Sequence, residues 1–520
     1  MRYFLLLIGC WLLLGNTLAA EVPVLVYHDI RDVPDTDEYV VSSRMFRKHM
    51  AYLKQQGYQP VSLRRFADAA AGKSTLPEKA VVLTFDDGLA SFQSIAMPIL
   101  EEYGFPSVLS VVTGWVDGRQ LPAEYRDRLL SWEQLREISH SPLVEILSHT
   151  DNLHHGVLAN PQGNLTPALI TRRYDATSRR YETEADFRQR IRADLVHSKK
   201  RLHAELGMTP PGITWPYGFY DQVLAEEATS LGLHYQLILG EEPAHTEQFP
   251  RIHRVVLRSA NTIAAFEDTV HFARARRPLR LIQIELDDMA SRTATEQERW
   301  LSVLLTRLKL LRVNAVVVNP FTRDGRHAFF LNDRIPVRAD ILHRVLHQIR
   351  TRAGVDHVLL YIPDIPGVTH VAKELARRHP YDGVLLAAEH VQKDVTALHR
   401  LFDYYHPGVR CGRERGAVWA HCMDFMVVTV DSRATADRSA AKPDENLNES
   451  ITASGSVPVY VLLQNRPDED GAQVARDLQG LRAAGARHYG LHYGAFLNNP
   501  ANLRRVAIEL NGHTIRGSRN

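Results

Sequence analysis

The feature that most restricts the fold is a recurring alternation of short apolar runs with helical segments, each run ending in polar residues. VPVLVYHDI (22–30), KAVVLT (79–84), the segment 107–113 and LVEILS (143–148) are continuous apolar stretches rather than polar–apolar alternations. They therefore read as strands covered on both faces. Between them, segments 46–56, 91–103 and 132–139 suit helices. This order builds a parallel sheet or barrel, and such folds place their chemistry at the carboxyl ends of the strands. A charged helix over 184–206, the strand end ITWPYG (213–218), a helix over 221–232 and a strand at 234–239 continue the pattern. RIHRV (251–255) reads as one more edge strand.

The pattern restarts after the Arg-rich stretch HFARARRPLR (271–280). Apolar runs at 281–286, 315–320, 357–363, 383–388, 425–430 and 457–463 alternate with helices at 296–312, 338–352, near 370–378 and at 470–484, and HYGLHYG follows. A polar insertion from Asp431 to Ser456 reads as a mobile loop. A chain of 520 residues is long for one core. The fold class is thus α/β, a distorted (β/α) barrel over 21–270 followed by a second (β/α)8-like barrel over 271–520.

Residues 1–20 carry Arg2, an apolar run from Tyr3 to Leu14 and small residues before Glu21, the layout of a secretory signal peptide. That run is too short to span a bilayer, and no later stretch is apolar enough, so no transmembrane span is expected in the mature chain. Cleavage leaves Cys411 and Cys422, a candidate disulfide in an oxidising compartment. With 62 Lys+Arg against 60 Asp+Glu, bulk charge gives no argument for binding nucleic acid.

His28, Asp86, Asp87 and His149 all fall at predicted strand ends. In TFDDG (84–88), neighbouring carboxylates point in different directions, so one can reach a metal while the other faces a bound water. SHTDNLHHG (148–156) brings His149 and either His154 or His155 into one strand-to-loop turn, the spacing alone not choosing between them. Two imidazoles and one carboxylate make the open three-ligand site of metal-assisted hydrolysis. Either motif alone could be a turn or a solvated loop; together, in a secreted α/β chain, they point to chemistry.

Residues 22–260 resemble the polysaccharide deacetylases of carbohydrate esterase family 4, in the subgroup acting on biofilm poly-β-1,6-N-acetyl-D-glucosamine. TFDDG at 84–88 and SHT…H at 148–154 carry the resemblance. It implies Asp86 as general base, and Asp87, His149 and His154 as ligands of one divalent ion. That set accommodates zinc, cobalt, nickel or iron. It also implies His28 as general acid, and a substrate groove at Trp215-Pro216-Tyr217-Gly218, with Trp215 and Tyr217 offering faces to sugar rings and the Tyr217 N–H helping to hold the oxyanion. An acetylated glucosamine polymer is the implied partner and an outer-membrane export porin a candidate second one. The implied location is the periplasm, after secretion across the inner membrane.

The resemblance continues into the second unit, where relatives carry a glycoside hydrolase with its acid in a G-[IV]-L-F-H-D-D-A segment. Here that segment reads GVLLAAEH (383–390), with Ala388 in the place of the first Asp. Asp287, Asp288, Glu389 and Tyr493 remain as candidate glycan contacts. Glycosidic cleavage needs a spaced carboxylate pair, so this barrel is expected to bind glucosamine polymer without cutting it appreciably.

Overall fold

A computed structural model of the chain describes residues 21–32, 37, 39–161, 163–240, 242–257, 262–272, 277–406, 409–414, 424–431, 458–464 and 470–511. The expected signal peptide, most of the 431–456 insertion and Cys422 lie outside the described residues. Cys411 is buried on a strand.

The first unit is built on eight strands: β1 (Val24–Tyr27), β2 (Gln59–Pro60), β3 (Ala80–Phe85), β4 (Ser107–Val111), β5 (Val144–Ser148), β6 (Gly212–Thr214), β7 (Tyr235–Leu239) and β8 (Arg251–Val256). Every pairing in the sheet is parallel, in the order β1-β8-β7-β6-β5-β4-β3-β2. A further parallel pairing of β1 with β3 brings the two ends together into a distorted barrel. The continuous apolar runs explain this: all four residues of β1 and all six of β3 are buried, as strands covered on both faces must be. RIHRV corrects the sequence expectation. It is an inner strand, with Val255 beside Leu25 of β1 and Ile252 beside Leu237 of β7. Its Arg and His residues hid this by interrupting the apolar run.

Helix Glu184–Leu206 is the main brace of the unit. Thr183 caps it by accepting from the Asp186 N–H, and Glu184 and Asp186 favour its positive end. Gly207, at φ +68°, ends it in the left-handed region. Phe187, Ile191, Leu195, Ser198 and Leu202 recur every three or four residues and form its buried stripe.

The second unit is a closed eight-stranded parallel barrel. Its strands are β9 (Arg280–Ile284), β10 (Ala315–Val318), β11 (His357–Ile362), β12 (Gly383–Leu386), β13 (Arg410–Glu414), β14 (Phe425–Asp431), β15 (Val459–Gln464) and β16 (His488–His492). Leu281, Val317, Leu359, Leu385, Val427 and Leu462 form its interior. Neighbouring residues such as Ile282, Val316, Val358 and Val384 face the helices. Asn160 Nδ2 donates to Asp340 Oδ2 at 3.0 Å, and Tyr404 donates to Glu226 at 2.9 Å, tying the units together. Among the described residues, no helix is long and apolar enough to cross a membrane.

Candidate metal centre and active site

Register brings the strand ends of the first barrel together. Tyr27 pairs with Phe85, which sets His28 beside Asp86; Ile213 pairs with Ser148, which sets Thr214 beside His149. Asp87 and Gly88 follow β3 with φ values of +73° and +74°. This left-handed step is costly for a residue with a Cβ, and it sends the two carboxylates to different partners.

Asp87 turns to the imidazoles. Its Oδ1 lies 3.5 Å from His149 Nε2 and 3.6 Å from His154 Nε2, and one ligand atom from each of the three residues lies within 4.8 Å of the others. Asp87 Oδ1 is buried without a hydrogen-bond partner. An orphaned carboxylate oxygen between two ring nitrogens is what a cation would satisfy. His149 Nδ1–H donates to the Thr214 carbonyl at 2.7 Å, which aims Nε2 at Asp87. Burial opposes charge on Asp87, but His149, His154 and His28 outweigh it and hold the carboxyl far below its usual range. Burial lowers His154 to about 4, so it is neutral and ready to ligate. The donor set fits one divalent ion.

Asp86 turns the other way. Arg254 of β8 donates to both of its oxygens, Nη1 to Oδ1 at 2.8 Å and Nη2 to Oδ2 at 3.1 Å, and to Thr84 Oγ1 at 3.2 Å. Arg254 is 1% exposed and Asp86 4%, so the pair is fully desolvated. Burial works against ionisation, yet the Arg254 charge, with His149 and His28, keeps the Asp86 carboxyl below its ordinary value. Arg254 is absent from the sequence-derived set because nothing in RIHRV distinguishes an inward arginine from a surface one.

The loop carrying His154 is held from behind. The Asp194 carboxylate, on the bracing helix, accepts the N–H groups of Asp151 at 2.9 Å and Asn152 at 2.6 Å. Asp151 in turn accepts from the Thr113 hydroxyl at 2.7 Å and from Arg119 at 2.7 and 2.8 Å. Gly114 lies so close that a Cβ there would sit 2.2 Å from the Asp151 carbonyl oxygen. The structure brings His154 to the cluster; His155 lines a separate cavity of about 310 Å³ with Arg119, Arg190 and Asp194.

Tyr217 lies with its ring 4.5 Å from that of His154, at φ +59° and 42% exposed, placed to meet a ligand. The Trp115 ring also packs 4.8 Å from that of His154, a contact the sequence does not reveal. Trp215 corrects the sequence expectation of a sugar-stacking face. It is wholly buried, its indole N–H donating to Gln236 Oε1 at 3.3 Å, whereas the left-handed backbone at Tyr217 turns that ring out.

In the second barrel, Asp287 accepts from the Arg323 N–H at 3.3 Å and Asp288 is exposed on the short helix Asp287–Ala290. Glu389 is exposed just beyond β12. Tyr493 is a second correction: it faces the helix layer, its hydroxyl held by Arg307 at 2.6 Å and its ring 6.3 Å from Trp300, so it is not turned to the barrel mouth.

Comparison with known proteins agrees with this geometry. Residues 73–236 match the polysaccharide deacetylase family, and residues 283–366 match a family described as hypothetical glycosyl hydrolase family 13. The chain is 34% identical over 364 residues to the poly-beta-1,6-N-acetyl-D-glucosamine N-deacetylase of Escherichia coli K12, covering 66% of this chain and 54% of the relative. It therefore spans about half the length of that curated relative. Among solved structures, a de-N-acetylase from Aggregatibacter actinomycetemcomitans is 33% identical, with a TM-score of 0.44 over 48% of this chain and 99% of the other. The deacetylase domain of a Bordetella bronchiseptica protein is 34% identical, with a TM-score of 0.41 over 46% and 96%.

Proposed function

With a first barrel of the polysaccharide deacetylase family and a second that is glycoside-hydrolase-like, we propose that the chain is a metal-dependent N-deacetylase of poly-β-1,6-N-acetyl-D-glucosamine. The observation that carries this reading is the division of the two adjacent carboxylates, Asp87 to the histidines and Asp86 to Arg254. Amide hydrolysis needs one acid residue to fix a cation and another to remain a base.

Asp87, His149 and His154 would hold a divalent ion, which would supply Lewis-acid polarisation of the acetyl carbonyl and acidify a water. Asp86 takes a proton from the attacking water as the water oxygen bonds to the acetyl carbonyl carbon. Arg254 keeps Asp86 ionised and turned toward it. The Tyr217 N–H steadies the developing oxyanion, and its exposed ring supports the sugar. His28, beside Asp86, gives a proton to the departing nitrogen, and the products are acetate and a glucosamine unit. Signal-directed secretion places the reaction in the periplasm, with an export porin of the outer membrane as the partner that receives the polymer. The second barrel, over 271–520, binds the partly deacetylated product.

The test is acetate release from a panel of defined acetylated oligosaccharides, with metals returned to chelated protein. Asp86→Asn is expected to keep metal binding and lose about 100-fold or more in rate, whereas Asp87→Asn loses both. Equal metal loss in the two variants would refute the division of labour, and release only from other glycans would refute the substrate.

A further inference from the structure

A cleft lies where the two units meet, lined by no metal-centre residue and by no strand of the second barrel. On one side is the hairpin that follows His154, with strands Gly156–Leu158 and Leu165–Pro167. On the other are the helices Ala294–Leu311 and Leu342–Gln348. Between them is a cavity of about 460 Å³, lined among others by Asn164, Leu165, Thr295, His343, Arg344 and Gln348. A smaller cavity of about 60 Å³ shares His343 and Arg344 with it and adds Arg172, Asp340, Arg378 and His379.

The smaller cavity has three guanidiniums against one carboxylate, Asp340. Arg172 is held through its Nε on the Glu182 carbonyl and forms no ion pair among the described residues. Arg378 meets Glu374 at 2.6 Å and Arg344 pairs with Glu298, but neither carboxylate lines the smaller cavity. Burial lowers the Arg378 guanidinium below its ordinary value, and the Arg172 charge adds to this while Glu374 opposes it. Burial also raises the Asp340 carboxyl, which already accepts from Asn160 Nδ2 at 3.0 Å, so it offers little countercharge. Two ring nitrogens there are open. His343 Nδ1–H donates to the Arg378 carbonyl at 2.8 Å, and burial lowers the ring to about 4. The imidazole is therefore neutral, and its buried Nε2 is an acceptor without a partner. His379 is 6% exposed with its ring 5.8 Å from that of His343, and its Nδ1 is likewise buried without a partner. Buried polar atoms left open cost stability, and desolvated cations need an anion facing them.

We propose that this cleft binds free phosphate or a phosphate monoester, whose P–OH donates to His343 Nε2 while its other oxygens accept from Arg172, Arg344, Arg378 and His379 Nδ1–H. Guanidinium forks match phosphate oxygens. A neutral imidazole acceptor among them selects an oxyanion that still carries a proton. A phosphate monoester does so near its second pKa of about 6, and sulfate does not. The smaller cavity, set against a water's share of roughly 30 Å³, takes the phosphate group. The larger takes the body that carries it, with Leu165, 69% exposed, as an apolar contact. A glucosamine polymer bearing ammonium groups is repelled by three guanidiniums, so this is not another site for the polymer. Nothing in the site depends on the deacetylase reading. Because both units line the cleft, a bound phosphate ties them together.

The experiment titrates the full chain with inorganic phosphate at pH 6 by calorimetry, beside sulfate and beside chloride at matched ionic strength. Phosphate is expected to bind and to raise the melting temperature, with sulfate about 10-fold weaker or more, because it leaves His343 Nε2 open. Arg172→Gln and Arg344→Gln change half-buried side chains and should each weaken phosphate binding about 10-fold or more. Arg378→Gln should do the same, and circular dichroism confirms that each variant is folded. His343→Phe should narrow the difference between phosphate and sulfate. Glucosamine 6-phosphate and vesicles containing phosphatidic acid distinguish a soluble ester from a lipid headgroup, and binding of neither leaves inorganic phosphate as the ligand. Phosphate held at the metal centre instead would survive all three arginine substitutions. Affinity unchanged by those substitutions, sulfate bound as tightly as phosphate, or no heat beyond that of chloride would overturn the proposal.

Discussion

Replacing Arg254 by Met tests what holds the proposed base in its working state. The guanidinium is 1% exposed and meets both oxygens of a carboxylate that is 4% exposed. Unit charges about 4 Å apart at an effective dielectric of about 20 attract by roughly 4 kcal/mol, and removing one partner of a buried pair costs about 3–5 kcal/mol. In the native chain the Asp86 carboxyl is held below its ordinary value. The pair's contribution is therefore full above the unfolded-state value and is lost as pH falls through the folded-state value. Without Arg254, burial pushes the carboxyl up, and ionised Asp86 destabilises the variant until pH drops below that raised value. The stability gap between native chain and variant should be widest near neutral pH and narrow in acid. Denaturant unfolding of chelated protein, where no cation can replace the lost guanidinium, reads the gap directly. The double variant Arg254→Met/Asp86→Asn should recover about 2 kcal/mol or more over the single one, because the unpaired charge is gone. A gap independent of pH, together with additive single and double changes, would refute the reasoning.

Asp194→Ala, which touches no proposed metal ligand, should weaken metal binding about 10–100-fold by freeing the 151–152 backbone; titration of chelated protein reads this, and unchanged affinity would remove the positioning role. Trp215→Ala should lower stability by about 3–5 kcal/mol with little change in the KM of the folded enzyme, while Tyr217→Ala should raise KM with little change in stability; steady-state kinetics and thermal melts on both variants check the contrast.

The parts legible from sequence are those in which structure and chemistry lie in one short segment. An apolar run followed at once by Asp86-Asp87 or His149 announces both a buried parallel strand and the group at its end, since such a strand leaves its neighbours' side chains nowhere else to converge. Whatever depends on a contact across strands was not legible. Arg254 reaches Asp86 from 168 residues away, and nothing local separates it from the surface arginines. RCGRE (410–414) carries no apolar run to mark it, yet it is a strand of the second barrel: Cys411 is buried, and a Cβ on Gly412 would lie 1.9 Å from the Phe425 ring, so only a glycine admits that ring. Trp215 and Tyr217 show the same limit at a range of two residues. Both are aromatic and both flank Pro216, but the left-handed turn at Tyr217 sends one ring inward and the other toward His154. Composition supplies the donors of a site, whereas which of them face each other is decided by register, and register is a property of strand pairs that no single segment contains.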